Sequence, residues 1–216
     1  MMIKISATQC DAWLKYCNDI IDENQLKQTL LKTGKPSIKM ELGTMFHSLI
    51  ENQDAEIPIV FNAEQINHAR TLFQGGMHEA KTRKRHQSKH GEIAITGVAD
   101  YLVGRRVMEA KTTWGSFSID RYLDSIQWQM YCWLFEADEI EYVVFEFPAP
   151  STKWKTISDI DSELQYKSFH SFTLRASQMD EQHIKTTIDE LHRFIIVSGI
   201  EGSMQLTEDI SIFELF

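Results

Sequence analysis

Between Glu92 and Thr113 the chain changes its hydrophobic period, and that change restricts the fold more than any other feature of the sequence. Ile93, Ile95 and Val98 are spaced for a strand, Gly104-Arg105-Arg106 suits a turn, and Val107 to Thr113 suits a second strand, so a hairpin is predicted. Upstream the spacing is helical. Thr8 to Ile21 carries Ala12, Trp13, Tyr16, Cys17 and Ile20, with Ser6 or Thr8 to supply the capping oxygen. Lys39 to Asn52 carries Leu42, Met45, Phe46, Leu49 and Ile50; Gly43 within it costs helix propensity and so points to close packing. A third helix is predicted over Ala63 to Ala80, with Gly75-Gly76 as a place where it can end early. Downstream, Arg121 to Phe135 reads as an aromatic-rich helix and Glu141 to Phe147 as a strand stopped by Pro148-Ala149-Pro150. A strand near Phe169 to Leu174 and a helix from Ser177 to Val197 follow. Helices, hairpin, helix, strand, strand, helix is the order of an α/β (or α+β) protein with a central mixed β-sheet flanked by helices. The expected organisation is one domain over 1–216, with a helical N-terminal part (1–90), a core (91–200) and a C-terminal tail (201–216).

Composition narrows the class. A chain of 216 residues buries enough surface to hold a core without disulfides or a structural metal. Cys10, Cys17 and Cys132 are odd in number and form no C-x-x-C pair, which argues against a secreted disulfide scaffold. The longest apolar run, around Phe194 to Val197, is far too short for a spanning helix, and the N-terminus lacks the apolar core of a targeting segment. The expectation is an intracellular, cytoplasmic protein with no membrane contact. The net charge of -9 argues against an indiscriminate grip on nucleic acid. The charge is uneven, however: residues 81 to 111 hold eight basic and three acidic residues, a local excess of five positive charges on an otherwise acidic body. Lys81 to His90 is then either a solvated loop or a basic stripe.

The hairpin also carries the residues suited to chemistry. Gly97-Val98-Ala99-Asp100 is followed nine positions after Asp100 by Glu109-Ala110-Lys111. Alternate residues of a strand share a face, so Glu109 and Lys111 point the same way, and a return through Gly104 can bring Asp100 beside Glu109. Two carboxylates and a lysine suit Mg²⁺ or Mn²⁺, hard cations that keep waters and share their shell with phosphate. A phosphodiester is the natural substrate, with Lys111 orienting or deprotonating a water or neutralising transition-state charge. Taken alone, an ion pair or a solvated face on an exposed hairpin explains the same pattern. Three other segments extend it. His47 and Glu51 lie four apart on one predicted helix face, as do Gln127 and Tyr131 on another, and Ser6 opens the first helix.

In this order, Ser6 to Cys17, Gly43 to His47, Gly97 to Asp100, Glu109 to Lys111 and Gln127 to Tyr131 resemble the RecB-like branch of the PD-(D/E)XK nuclease superfamily. The resemblance covers about residues 3 to 147 and implies a restriction-endonuclease-like core. Residue by residue, it implies that His47, Asp100 and Glu109 bind Mg²⁺ or Mn²⁺, with the backbone carbonyl of Ala110 as a further ligand. Lys111 matches the catalytic lysine; Gln127 and Tyr131 match positions that support the active site and contact DNA. Glu51 has no assigned role beyond supporting the ligands. Arg83, Lys84, Arg85 and Lys89 become candidates for guiding a DNA backbone towards the metals.

The implied activity is metal-dependent DNA hydrolysis, most directly by an exonuclease acting on DNA ends in recombination, repair or phage DNA processing. An endonuclease with the same site, or a catalytically silent binding member of the fold, stays open. Some relatives hold an iron-sulfur cluster on one early and three late cysteines; no cysteine follows Cys132, so a four-cysteine cluster within this chain is not expected. Expected partners are DNA and a single-strand annealing or other recombination protein, for which the terminal Ile212-Phe213-Glu214-Leu215-Phe216 offers a contact, and a homo-oligomer also stays open.

Overall fold

The computed structural model describes residues 2–204. The terminal segment Ile212 to Phe216, expected to make partner contacts, lies outside the described residues. A short strand β1 (Ile3–Ser6) runs directly into α1 (Ala7–Cys17). Ser6 accepts from the Gln9 N–H, while the Gln9 side chain accepts from the Ser6 N–H, a reciprocal cap that fixes the strand-to-helix bend. Then follow α2 (Glu23–Leu31), α3 (Ile38–Glu51), α4 (Ala63–Leu72), β2 (Met77–Ser88), β3 (Gly91–Val103) and β4 (Arg106–Trp114). The chain closes with α5 (Asp120–Leu123), α6 (Gln127–Phe135), β5 (Glu139–Phe147), β6 (Ser168–Arg175) and α7 (Glu181–Val197).

The six strands form one mixed sheet in the order β1-β3-β4-β5-β6, with β2 on the other edge of β3. β3 pairs antiparallel with β2 and with β4, while β1 pairs parallel with β3 and β4 parallel with β5. One face is covered by α1, α6 and α7 over Ile93, Ile95, Val107, Tyr142 and Val144; the other by α3 and α4 over Tyr101, Val143, Phe145 and Phe147. Helices on both faces of a mixed sheet are the architecture predicted.

The helical reading of residues 1–90 needs correction at three places. β1 is four residues long and has no partner until β3 is made, so no local pattern marks it. α2, capped by Asp22, buries only Leu26 and Leu30. The third helix ends at Leu72, and the stretch from Met77 to Ser88, predicted partly as helix and partly as loop, is a strand. Only Ala80 and Ser88 of its side chains are buried, so it carries no alternation of apolar residues. Its order comes from the ladder with β3, which runs from Met77↔Leu102 to Ser88↔Gly91. The far end of this hairpin is pinned to α7: His86 pairs with Asp189 at 2.9 Å, and Ser88 bonds buried His192. The single aromatic helix predicted from Arg121 is two, the short α5 and then α6.

Candidate active site

The site lies where the sheet divides. On one edge β3 is paired with β1 over Ile93 to Thr96 and with β4 over Tyr101 to Val103, so Gly97 to Asp100 has no strand partner on that edge. Side chains fill the gap instead. Tyr131 of α6 donates its hydroxyl to Val98 O at 3.1 Å, and Gln127, one turn earlier, donates to Thr8 Oγ1 of α1 at 3.2 Å. Gly97 makes this approach possible: a Cβ there would lie 3.0 Å from Leu134 Cδ1 and 3.2 Å from Phe135 Cε2.

Beyond the fork Asp100 and Glu109 are locked together through the backbone. The Asp100 N–H donates to Glu109 Oε1 at 3.2 Å, and the Ala110 N–H donates to Asp100 Oδ2 at 2.9 Å. In an extended strand the N–H and C=O of one residue face the same edge, so the Ala110 carbonyl faces the gap as well. Lys111 donates to Glu109 Oε2 at 2.5 Å. From the opposite layer α3 brings His47, whose Nδ1 is 3.6 Å from Asp100 Oδ2. Gly43, one turn earlier, permits this approach, since a Cβ would meet Thr112 Oγ1 of β4 at 2.8 Å. The two glycines that the sequence marks beside Asp100 and His47 are thus both points of close approach. The resulting cleft has a volume of about 850 Å³ and is lined by Thr8, Gly43, His47, Glu51, Glu79 and Lys111.

Electrostatics distinguish these groups. Glu109 is 1% exposed; burial raises its pKa well above the ordinary carboxylate range, with Lys111 opposing and Asp100 adding to the shift. Burial alone would lower Lys111, but the charges of Glu109 and Asp100 more than reverse this and hold it as an ammonium. His47 is lowered by burial and by Lys111, against the pull of Asp100, which favours the neutral, metal-binding imidazole. Glu51 is pushed up to about 7 by burial and by the charges of Asp100 and Glu79. Glu79 had no place in the sequence reading. It sits in β2 opposite Asp100, with φ +46° and with no ladder pair recorded between the two, and nothing in its local sequence distinguishes it.

His47, Asp100, Glu109, Ala110, Lys111, Gln127 and Tyr131 are therefore gathered in one place. The basic run is divided. Arg83 pairs with Thr96 and shares the sheet face of Asp100, as does Arg85, whereas Lys84 is on the opposite face. There Lys84 donates to Trp133 O at 3.0 Å and to Glu136 at 3.3 Å, with its ammonium over the Trp133 ring. Lys89 is in the turn beyond Ser88, about 30 Å along the hairpin from Asp100 at 3.3 Å per residue. No helix of the described residues is long and apolar enough to cross a membrane.

No protein-family model matches the chain, and no curated protein matches it. Among solved structures, the protein SSO0001 is similar over 90% of this chain and 77% of its own, with a TM-score of 0.53 and 16% identity. That likeness is one of fold. A phage-related exonuclease from Haemophilus somnus 129PT aligns over 92% of this chain and 97% of its own, with a TM-score of 0.41 and 16% identity. An alkaline exonuclease from Laribacter hongkongensis aligns over 92% and 89%, with a TM-score of 0.40 and 14% identity.

Proposed function

We propose that this chain is a Mg²⁺- or Mn²⁺-dependent deoxyribonuclease that hydrolyses phosphodiester bonds at DNA ends, the whole chain acting as one nuclease unit. The observation that carries this reading is the meeting of Asp100, Glu109 and Lys111 at the fork of the sheet, with two backbone N–H groups holding the carboxylates in register. Asp100, Glu109, the Ala110 carbonyl and His47 would hold the cation. The donor set fits such an ion: hard oxygens, one neutral imidazole, and four carboxylates in or beside the cleft against two lysines, Lys39 and Lys111. When bound, the ion supplies Lewis acidity towards a phosphate oxygen and acidifies a water.

The chain's own groups do the rest. Lys111, hydrogen-bonded to Glu109, would orient or deprotonate the water, or neutralise charge growing on the phosphate. Gln127 and Tyr131 fasten α6 to α1 and β3 and so fix the width of the fork. Arg83 and Arg85 flank the path along β3 on the side of Asp100, where a DNA backbone would meet them.

Digestion of linear duplex, closed circular duplex and single-stranded DNA, each with Mg²⁺ or with EDTA, tests this. The expected result is metal-dependent loss of the linear forms alone, abolished by Asp100→Ala. Cutting of the circle would assign the site to an endonuclease, and failure to cut any substrate with Mg²⁺ or Mn²⁺ would overturn the reading in favour of a binding protein.

A further inference from the structure

The far end of the β2-β3 hairpin meets α7 through a cluster of titratable side chains that the nuclease site does not use. His86 and Ser88 alternate on one face of β2, and Asp189 and His192 lie one turn apart on α7. His86 Nε2 is 2.9 Å from Asp189 Oδ1, and Ser88 Oγ is 2.5 Å from His192 Nδ1. Ser88 and His192 are 4% and 3% exposed, so neither can turn to water while the hairpin stays on the helix. The Ser88 oxygen also accepts the His90 N–H at 3.0 Å, across the turn that ends the strand. With that lone pair engaged, the hydroxyl donates to His192 Nδ1, and the imidazole is held neutral with its proton on Nε2. His90 itself stands edge-on to His192, with ring centroids 5.9 Å apart. Among the described residues, the charges that act on His192 are those of His90 and His86 from the hairpin and of Asp189 from its own helix. Lys89, the remaining charged residue of the turn, is exposed. One carboxylate therefore faces three imidazoles, and it is already bonded to His86.

We propose that these contacts are a pH-operated latch: at neutral pH they hold the hairpin tip, residues 86–91, on α7, and in mild acid a proton on His192 releases it. A proton on Nδ1 takes away the acceptor of the Ser88 hydroxyl and turns a buried neutral ring into a cation beside two other imidazoles. Burial and the charges of His90 and His86 lower the pKa of His192, with Asp189 opposing, so opening takes up a proton. The latch is thus at full strength above the ordinary histidine value of 6.5 and weakens as pH falls below it. His86 acts in the other direction, because a proton there strengthens its bond to Asp189, but that carboxylate neutralises one imidazolium and not three. Inward of the tip the hairpin stays fastened, since Lys84 is bonded to Trp133 O and Glu136, and Ile93 and Ile95 are fully buried. Release is therefore confined to the end of the hairpin, which carries Lys89 and adjoins Arg85. Its effect on DNA rests on the nuclease reading above; the latch itself does not.

Hydrogen exchange of the full chain in EDTA, read by mass spectrometry from about pH 7.5 to about pH 5.5 with labelling times scaled for the intrinsic rate, tests this. Peptides over residues 87–91 should lose protection by about tenfold or more in mild acid, as befits a buried hydrogen bond left unmade, while those of α6 and β5 keep theirs. His192→Asn, whose amide oxygen can accept from Ser88 without titrating, should hold the tip closed throughout. Ser88→Ala, a small change that needs no repacking of α7, should leave it open at neutral pH. Protection that does not change with pH in the wild type, or that is unaltered at neutral pH in Ser88→Ala, would overturn the latch. So would the same pH dependence in His192→Asn as in the wild type. Binding of duplex DNA in EDTA at the two ends of that pH range separates the two readings. Wild-type affinity that falls in acid relative to His192→Asn upholds both, whereas a tip that opens with no such difference upholds the latch and overturns the placing of Arg85 and Lys89 on the DNA path.

Discussion

Replacing Gly97 by alanine tests the fork directly. The added Cβ would meet Leu134 Cδ1 at 3.0 Å, Phe135 Cε2 at 3.2 Å and Tyr131 Cε1 at 3.5 Å, all on α6. Those side chains are 4%, 9% and 6% exposed, so none can swing into solvent, and α6 as a whole must move by a few tenths of an ångström. Overpacking of this kind costs about 1–3 kcal/mol, and the smaller conformational entropy of the unfolded alanine variant returns about 0.4–1 kcal/mol. The net expectation is a loss of about 1–2 kcal/mol, or about 3–6 °C in Tm for a chain of this size. Because Tyr131 rides on α6 and bonds Val98, cleavage should fall as well. Urea denaturation of Gly97→Ala, Leu134→Ala and the double variant measures the effect. Leu134→Ala alone should cost about 2–5 kcal/mol, and the pair should be less destabilised than the sum by about 1 kcal/mol, because the new methyl enters the vacated space. Stability of Gly97→Ala equal to wild type, with strict additivity in the pair, would refute the claim that this glycine exists for the approach of α6 to β3.

Lys111→Ala should lower the cleavage rate by about 100-fold or more while Mn²⁺ affinity at pH 8 stays equal or rises, since a positive charge beside Glu109 has gone; loss of metal binding instead would make Lys111 a structural partner of Glu109. Burial raises Glu109 above the ordinary carboxylate range, so metal must displace its proton as pH falls. Mn²⁺ affinity should therefore weaken below about pH 7 by about tenfold per unit for each proton displaced, and calorimetry giving a flat profile from pH 8 to 6 would contradict the assignment. In the metal-free protein the sign reverses, because folded Glu109 holds a proton that the unfolded chain has released. Its contribution is fully present below the ordinary glutamate value of 4.5 and is lost as pH rises through the elevated folded value, a trend that thermal melts in EDTA can follow. Reversing Arg83 and Arg85 to glutamate should weaken DNA binding and flatten its salt dependence, whereas Lys84→Glu should affect stability alone; equal effects on DNA binding would mean the two faces of β2 do not differ in function.

How much of this was legible depended on how local each feature is. The β3-β4 hairpin was readable because Ile93, Ile95 and Val107 alternate within a few residues of a turn at Gly104, where φ is +59°. α3 and α7 were readable because their buried residues recur every three or four positions, and α6, buried nearly all round, by its run of aromatic and apolar residues. The convergence of Asp100, Glu109 and Lys111 followed from strand alternation and a hairpin return, and His47 and Tyr131 joined them by order and spacing of motifs. The strand β2 was not legible, because a basic, largely exposed sequence pairs only through its backbone and needs β3 already in place. The same polarity concealed that Lys84 and Arg83 face opposite sides, a distinction that alternation supplies only once the segment is known to be a strand.

The sequence by itself determined which residue types would bear the chemistry and which stretches could form elements, since periodicity, turn residues and ligand types are properties of the chain over distances of a few residues. Only the tertiary structure decided that β3 leaves β1 and joins β4 between Gly97 and Asp100, opening the gap in which the carboxylates meet. It alone also placed Glu51 and Glu79 around that gap and left the Tyr101 hydroxyl unpartnered. Those relations join residues as far apart in the chain as Ile3 and Ile93 through pairing, burial and shared electrostatic fields, and no local pattern carries them.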